Sequence, residues 1–381
     1  MNIRRKFQAR FGYAPARVVW APGRVNLIGE HTDYNEGFVL PAAIDRGVYL
    51  AVAPRRDRNV NVHALNFHDA TAFSLDHLQR DSTHRWSNYL QGVALILQER
   101  GYALRGMDAV LWGDLPIGAS LSSSAALQVA AAVAFKTLCD LALSLEQIPA
   151  LCQRAENDFV GVQCGIMDQF AVTFGQREHA LFLDCRTLAH QHVPIPSDLK
   201  IVVCDTRKPR ALAASAYNQR RQECEQGARF FGVAALRDVS VEMFHARETE
   251  LSETIRRRVR HVVTENQRVR EMVAALERGD LKTVGALMAA SHQSLRDDYQ
   301  VSVRELDVMV ELAQAHAGCV GARMTGAGFG GAALALVHQD AAETFANQIS
   351  AAYQAATGVE PQLLVTRAQD GVRLLADNEN A

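Results

Sequence analysis

Much that would place this chain quickly is missing from it. No GxxxxGK[ST] occurs: the first lysine after Gly118 is Lys136, which excludes the phosphate loop of the P-loop enzymes. An excess of charge of one sign is missing too, since 40 Lys and Arg stand against 42 Asp and Glu, a formal net charge of −2. No field of the whole molecule then draws it to nucleic acid or to an anionic membrane, and its expected partners are small molecules. No apolar run approaches the length of a membrane span, and the basic start MNIRRKFQARFGYAP has no apolar leader segment, so the expectation is a cytoplasmic protein with no membrane partner. The seven cysteines, Cys139, Cys152, Cys164, Cys185, Cys204, Cys224 and Cys319, show neither CxxC nor zinc-type spacing. Their odd count argues against a disulfide framework and for reduced thiols, with Cys164 a buried or pocket-wall thiol rather than a nucleophile. There is no internal repeat and no low-complexity tract.

What is present is a chain of 381 residues, 48% hydrophobic, more than one core usually supports. Two closely joined domains are expected, divided as 1–185 and 186–381, with the boundary in the stretch Leu181 to Lys200, where HVPIPSD places prolines between LFLDC and LKIVVCD. Strands dominate the first third: Val18 to Ala21, stopping at Pro22 and Gly23, then Val48 to Ala53, Asn59 to Leu65 and Ala109 to Trp112. Helices follow, from Ser123 to Leu141, after a capping box at Ser144 and Gln147, over Tyr217 to Phe231 and over Ile255 to Arg278. Late strands are read at Gly321 to Thr325, Ala332 to Val337 and Gln362 to Thr366.

Three segments carry chemistry. Gly23 to Tyr34, GRVNLIGEHTDY, gathers an arginine, two carboxylates, a histidine and an asparagine where a strand opens into a loop. Glu30 and Asp33 can accept from hydroxyls and Arg24 can hold an anion or a carboxylate, a mixture suited to a polyol beside a phosphate. Leu115 to Ala126, LPIGASLSSSAA, reads as strand, small-residue loop, helix: Gly118, Ala119 and Ser120 leave room for an anion to approach backbone N–H groups at a helix start. Ser122, Ser123 and Ser124 can cap that helix, bond phosphate or ligate Mg²⁺, and three in succession exceed what capping needs. Met324 to Ala332, MTGAGFGGA, is a glycine-rich turn that by itself marks only a tight hairpin. Two carboxylates stand out further along. Glu156 lies beside the apolar stripe Ile148, Leu151, Cys152, Ala155 and Phe159, where it is either a flank carboxylate paired with Arg154 or Lys136 or a site group. Asp168, in CGIMDQF, sits among apolar neighbours and must be hydrogen-bonded, paired or functional.

In this order and spacing the three blocks resemble the GHMP small-molecule kinases, and GRVNLIGEHTDYNEGFVLPAAI looks like the galactokinase signature within them. The resemblance extends over nearly the whole chain, through Glu156 and NDFVGVQCGIMDQF to SAYNQRRQEC. It implies an α+β fold with an N-terminal domain like ribosomal protein S5 domain 2, a ferredoxin-like C-terminal domain and the site in the cleft between them. It further implies transfer of the ATP γ-phosphoryl group to the C1 hydroxyl of galactose with Mg²⁺, in a monomer or weak homo-oligomer. In that reading Asp168 faces the C1 hydroxyl as base with Arg24 nearby, while Glu30, His31, Asp33, Gly165, Asp168 and Tyr217 orient the sugar. Trp86 lines the adenine pocket, Gly118, Ala119, Ser120, Leu121, Ser122, Ser123 and Ser124 hold the triphosphate, and Glu156 joins Ser124 on the metal. A kinase for a related sugar such as N-acetylgalactosamine and a silent sugar-sensing paralogue stay open, although the intact Arg24, Asp168, Glu156 and serine run oppose the second. One departure is visible: the family's second motif reads GAGLSSSA, and Ser120 stands at its central glycine. If that glycine serves a positive φ, the loop here is strained or reshaped.

Overall fold

A computed structural model describes residues 2–116, 120–209, 213–376 and 379. Its strands are β1 (Arg17–Asn26), β2 (Phe38–Val39), β3 (Pro41–Pro54), β4 (Asn59–Ala64), β5 (Asp69–Ser74), β6 (Met107–Gly113), β7 (His179–Asp184), β8 (His190–Pro194), β9 (Leu199–Asp205), β10 (Cys319–Thr325), β11 (Ala332–His338), β12 (Gln362–Thr366) and β13 (Arg373–Leu374). They build a six-stranded sheet in the order β13-β1-β3-β6-β4-β5, antiparallel except for the parallel β4–β6 pair, a four-stranded antiparallel sheet β10-β11-β9-β12, and a small sheet β2-β7-β8. The mixed architecture is the α+β class that the family resemblance implies. Because β8 pairs with β7, the chain stays in the small sheet as far as Pro194 and enters the four-stranded sheet at Leu199.

Side chains alternate across each sheet with the period of two that a strand imposes. On the six-stranded sheet Val19, Ala21, Leu50, Val52 and Ala109 face the main core, while Val18, Trp20, Ala51, Ala53 and Val110 face Ile3 and Phe7 of the first helix, Ile3–Phe11. Both faces are covered, which is why these strands read as unbroken apolar runs. The alanine-rich helix Ser123–Leu138, buried along most of its length, packs on the core face, where its short side chains let helix and sheet approach closely. The four-stranded sheet repeats the logic. Val202, Cys204, Ala333 and Ala335 turn towards Phe345, Ile349 and Tyr353 of the helix Ala342–Thr357, and Ile201, Val203, Leu334 and Leu336 join the main core with Val269 and Met272 of the helix Glu253–Glu277. One apolar core thus runs behind both large sheets and fixes their relative placement.

Several boundaries differ from the sequence reading for local reasons. β1 does not stop at Pro22 and Gly23 but continues to Asn26, with its register against β3 shifting between Pro22 and Arg24. Pro22 lacks an N–H, and a bulge removes the need for one. Arg24 therefore projects from a strand, not a loop. The helix after Ser123 ends at Leu138 rather than Leu141, since Asp140 turns to φ +51°. HVPIPSD is strand as far as Pro194, and the capping box at Ser144 and Gln147 forms as read. The helix it starts, Ile148–Arg154, widens into a π-helical turn over Ala155–Val160 instead of continuing regularly.

The bulge makes Gly47 a point of close approach. A Cβ there would lie 2.4 Å from the Ala21 carbonyl oxygen and 2.7 Å from Trp20 Nε1, and the Gly47 N–H donates to Asp114 at 2.7 Å. Gly47→Ala should destabilise the fold by about 2 kcal/mol through steric displacement of β1. The check is a lower urea midpoint with an unchanged m-value.

Candidate active site

The bulge delivers Arg24 to the wall of a cavity of about 610 Å³, opposite residues from four other segments. Arg24 is 6% exposed and holds Asp168 in a fork: Nε donates to Oδ1 and Nη2 to Oδ2, both at 2.7 Å, while Nη1 donates to the Ser120 carbonyl at 2.7 Å. Ser122 Oγ also donates to Asp168 Oδ2. Asp168 itself lies in the first turn of the short helix Met167–Phe174 and keeps 27% of its side chain exposed, towards the cavity.

The serine run does not act as a cap. Ser122 is the N-cap of the helix Ser123–Leu138, yet its side chain makes no capping bond and its hydroxyl goes to Asp168. The first N–H groups of the helix are left without intrahelical partners, facing an anion-sized space with the positive end of the dipole behind them. Ser120 and Ser122 both hold left-handed backbone, at φ +64° and +57°. The departure from the glycine that the resemblance implies therefore resolves as strain: Ser120 keeps the positive φ, with its hydroxyl buried and without a hydrogen-bond partner among the described residues. Leu121, Ser122, Ser123 and Ser124 surround this space, whereas Gly118 and Ala119 lie outside the described residues.

A second, apolar cavity of about 170 Å³ meets the first at Ser123 and Ser124. Trp86 lines it, stacked on Phe67 with ring centroids 6.3 Å apart, and its Nε1 donates to Asp69 at 2.9 Å. A flat slot beside a phosphate-sized space suits a nucleotide base.

Glu156 lies in the π-helical turn, 6% exposed, where Gln169 Nε2 donates to it at 3.0 Å and the Ser124 hydroxyl also bonds it. Burial first, and the negative Asp168 second, push it up to about 7. Neither basic partner considered for it is available: Arg154 pairs with Glu99 and Asp158, and Lys136 donates to the Leu143 carbonyl. Asp33 is pushed up to about 6, again by burial and then by Asp168. It accepts from the Tyr34 N–H at 2.9 Å and packs so tightly on Gly165 that a Cβ there would fall 1.7 Å from Asp33 Oδ2. Glycine at 165 is thus the condition for that carboxylate to reach the cavity. Cys164 also lines the cavity, as a thiol that burial and the surrounding carboxylates push up; all seven cysteines are free.

Glu30, His31 and Tyr217 reach the same cavity, although two of them are already engaged. Glu30, 2% exposed, accepts from Asn26 Nδ2, Thr325 Oγ1, the Gly326 N–H and Arg323 Nη1. Both ring nitrogens of His31 have protein partners, Tyr34 Oη at 2.7 Å and the Ala327 carbonyl at 3.2 Å. The glycine-rich hairpin thus braces the sugar-signature loop. Arg323, fully buried, is the residue that sequence reasoning missed; its signal was a lone charge in the otherwise apolar run Cys319 to Met324. A wider groove of about 800 Å³ beside Phe38 and Arg237 offers no comparable chemistry, because Arg237 is held by Asp184 and Asp238 by Arg186.

Comparison with known proteins agrees with this geometry. Residues 5–54 match the galactokinase galactose-binding signature, 88–176 the GHMP kinase N-terminal domain and 272–355 the GHMP kinase C-terminal domain. A galactokinase from Roseiflexus sp. (strain RS-1) is 51% identical over 99% of this chain and 97% of its own. The chain belongs to the galactokinase family. A galactokinase from Chloroflexus aggregans is 46% identical over 98% of this chain and 97% of its own. The crystal structure of Lactococcus lactis galactokinase complexed with galactose superposes with a TM-score of 0.94 at 38% identity, covering 98% of this chain and 99% of that one. A mevalonate kinase, at 15% identity and a TM-score of 0.68 over 93% of this chain and 99% of its own, shares the fold.

Two outcomes test the site. Ser120→Gly relieves a left-handed serine whose hydroxyl bonds none of the described residues, so it should stabilise the protein by up to about 1 kcal/mol and leave ATP affinity within about twofold. A large loss of ATP affinity by calorimetry would instead make that hydroxyl a phosphate contact. Glu156 tests the electrostatics. A carboxyl raised from 4.5 to about 7 on folding contributes its stability below about pH 4.5 and loses it as pH rises through about 7. Neutral Glu156→Gln should match the wild type near pH 4.5 and exceed it by about 2–3 kcal/mol near pH 8, read from urea midpoints of the ligand-free protein.

Proposed function

We propose that this chain transfers the γ-phosphoryl group of ATP to the C1 hydroxyl of α-D-galactose, giving galactose 1-phosphate and ADP. The observation that carries the reading is the Arg24–Asp168 fork placed in one cavity with the uncapped start of the helix Ser123–Leu138. Triphosphate lies along Ser120 to Ser124, with the base in the Trp86 slot. Galactose occupies the opposite wall, oriented by Asp33, held forward by Gly165, and by Glu30, His31 and Tyr217.

Asp168 receives the proton. Each carboxylate oxygen accepts along two lone-pair directions. Arg24 takes one on each oxygen and Ser122 a second on Oδ2, which leaves Oδ1 one direction open for the sugar hydroxyl. The C1 oxygen bonds to the γ-phosphorus, the bond from that phosphorus to the bridging oxygen breaks, ADP departs with the electron pair, and the hydroxyl proton passes to Asp168. Arg24 keeps the carboxylate aimed, and sets positive charge beside the transferring group.

Glu156 and Ser124 fit Mg²⁺. They are hard oxygen donors, the carboxylate is buried without a cationic partner, and among the described residues no cage of three or more His, Cys, Asp or Glu competes for the ion. Bound there with ATP, Mg²⁺ supplies neutralisation of the phosphate oxygens.

Release of ADP measured over a panel of sugars tests the assignment. Galactose should give the highest kcat/KM, because an epimer leaves buried acceptors unpaired, and equal values for galactose and glucose would overturn it. Asp168→Asn should lower kcat by at least about 10² while galactose still binds. Near-wild-type turnover would reduce Asp168 to orienting the sugar.

A further inference from the structure

Behind the cavity wall lies a chain of buried polar contacts that the proposed reaction does not use. His31 Nε2 stands 3.2 Å from the Ala327 carbonyl, His31 Nδ1 2.7 Å from Tyr34 Oη, Tyr34 Oη 2.7 Å from Tyr299 Oη, and Tyr299 Oη 3.0 Å from Cys224 Sγ. Its direction follows from elementary rules. A carbonyl only accepts, so Nε2 carries the imidazole proton. Burial pushes His31 down to about 3, so the ring is neutral and Nδ1 is bare; it accepts from Tyr34. Having spent its single hydrogen, Tyr34 accepts from Tyr299, and Tyr299, having spent its own, accepts from the Cys224 thiol. The other end is equally tied: Asn35 Nδ2 donates to the His31 carbonyl at 2.8 Å, holding a residue whose φ is +63°. His31 and Tyr217 both line the cavity, the Tyr217 centroid lying 5.5 Å from His31 and 5.1 Å from Tyr34.

We infer that Tyr34 and Tyr299 are positioning residues of the sugar site, forming a one-directional relay from Cys224 through Tyr299 and Tyr34 to His31 that locks the His31 ring as its Nε2–H tautomer and so fixes the wall that Tyr217 presents. The inference rests on the proposed placing of the sugar against that wall. Without the Tyr34 hydroxyl, buried Nδ1 loses its donor, and the ring turns to find another, taking Tyr217 with it. Among the described residues neither tyrosine hydroxyl bonds Ser120 to Ser124, so the effect falls on sugar binding.

The test joins kinetics to imidazole ¹⁵N spectra of the whole enzyme. Wild type should show His31 protonated on Nε2 and bare on Nδ1. Tyr34→Phe should shift the Nδ1 resonance and raise the galactose KM about tenfold, with kcat and the ATP KM held within about twofold, a split that general loosening would not give. Tyr299→Phe keeps the donor to His31 but removes its anchor, so the galactose KM should rise about threefold; this variant carries the test if Tyr34→Phe does not fold. A folded Tyr34→Phe with wild-type galactose KM, or a wild-type His31 protonated on Nδ1, would overturn the relay. The spectra are taken without ATP, so they judge the relay even if the wild type turned over no galactose.

Discussion

Arg323 is a guanidinium with no exposed surface, and the site is assembled around it. Nη1 meets Glu30 at 2.8 Å and the carbonyls of Asn26 and Leu27, Nε donates to Ser291, and Glu265 lies 3.9 Å from Nη2. A charge taken fully out of water costs several kcal/mol, which is returned only when geometry and hydrogen bonds are both good. Nη1 and Nε meet that condition, whereas Nη2 finds no hydrogen bond among the described residues and has only the Glu265 charge beside it. Glu265 carries the cluster further, accepting from the Gly29 N–H and Ser291 and pairing with Arg268. The sugar-signature loop, the glycine-rich hairpin and the helix Glu253–Glu277 are thereby tied at one buried point, although nearly three hundred residues separate Glu30 from Arg323.

Around that anchor the cavity is built against its own electrostatic preference. Asp33, Glu156 and Asp168 share it, and Arg24, the guanidinium among them, is committed to Asp168 and to the Ser120 carbonyl. Two serines in left-handed backbone shape the loop before the helix Ser123–Leu138. Raised carboxyls, strained serines and free helix N–H groups are each unfavourable by themselves, and each is of a kind that a hydroxyl, a hard cation or a phosphate would relieve. Differential binding of this sort turns remote interactions into positioning at the reacting atoms.

The sequence alone determined the chemistry of the chain, because that chemistry is local in its code. A serine run after small residues, an arginine with two carboxylates around glycines and an aspartate among apolar neighbours are readable, since few backbones need those residues for stability. A mixture of helix and strand was legible for a similar reason, since their periods are short-range properties, as the capping box at Ser144 and the matching strand Gln362–Thr366 show; the α+β class itself followed from the family resemblance. Tertiary structure decided the rest. That Pro22 marks a bulge and not a strand end depends on β3 lying opposite, and that Glu156 faces the cavity rather than pairing with Arg154 or Lys136 depends on a π-helical turn and on where those two find other partners. That Gly165 admits Asp33, and that His31 is held by Tyr34, itself bonded to Tyr299, are contacts between residues up to 265 positions apart. Local pattern names the groups a site can contain; the shared core, by setting which segments meet, decides what each group touches and therefore what it can do.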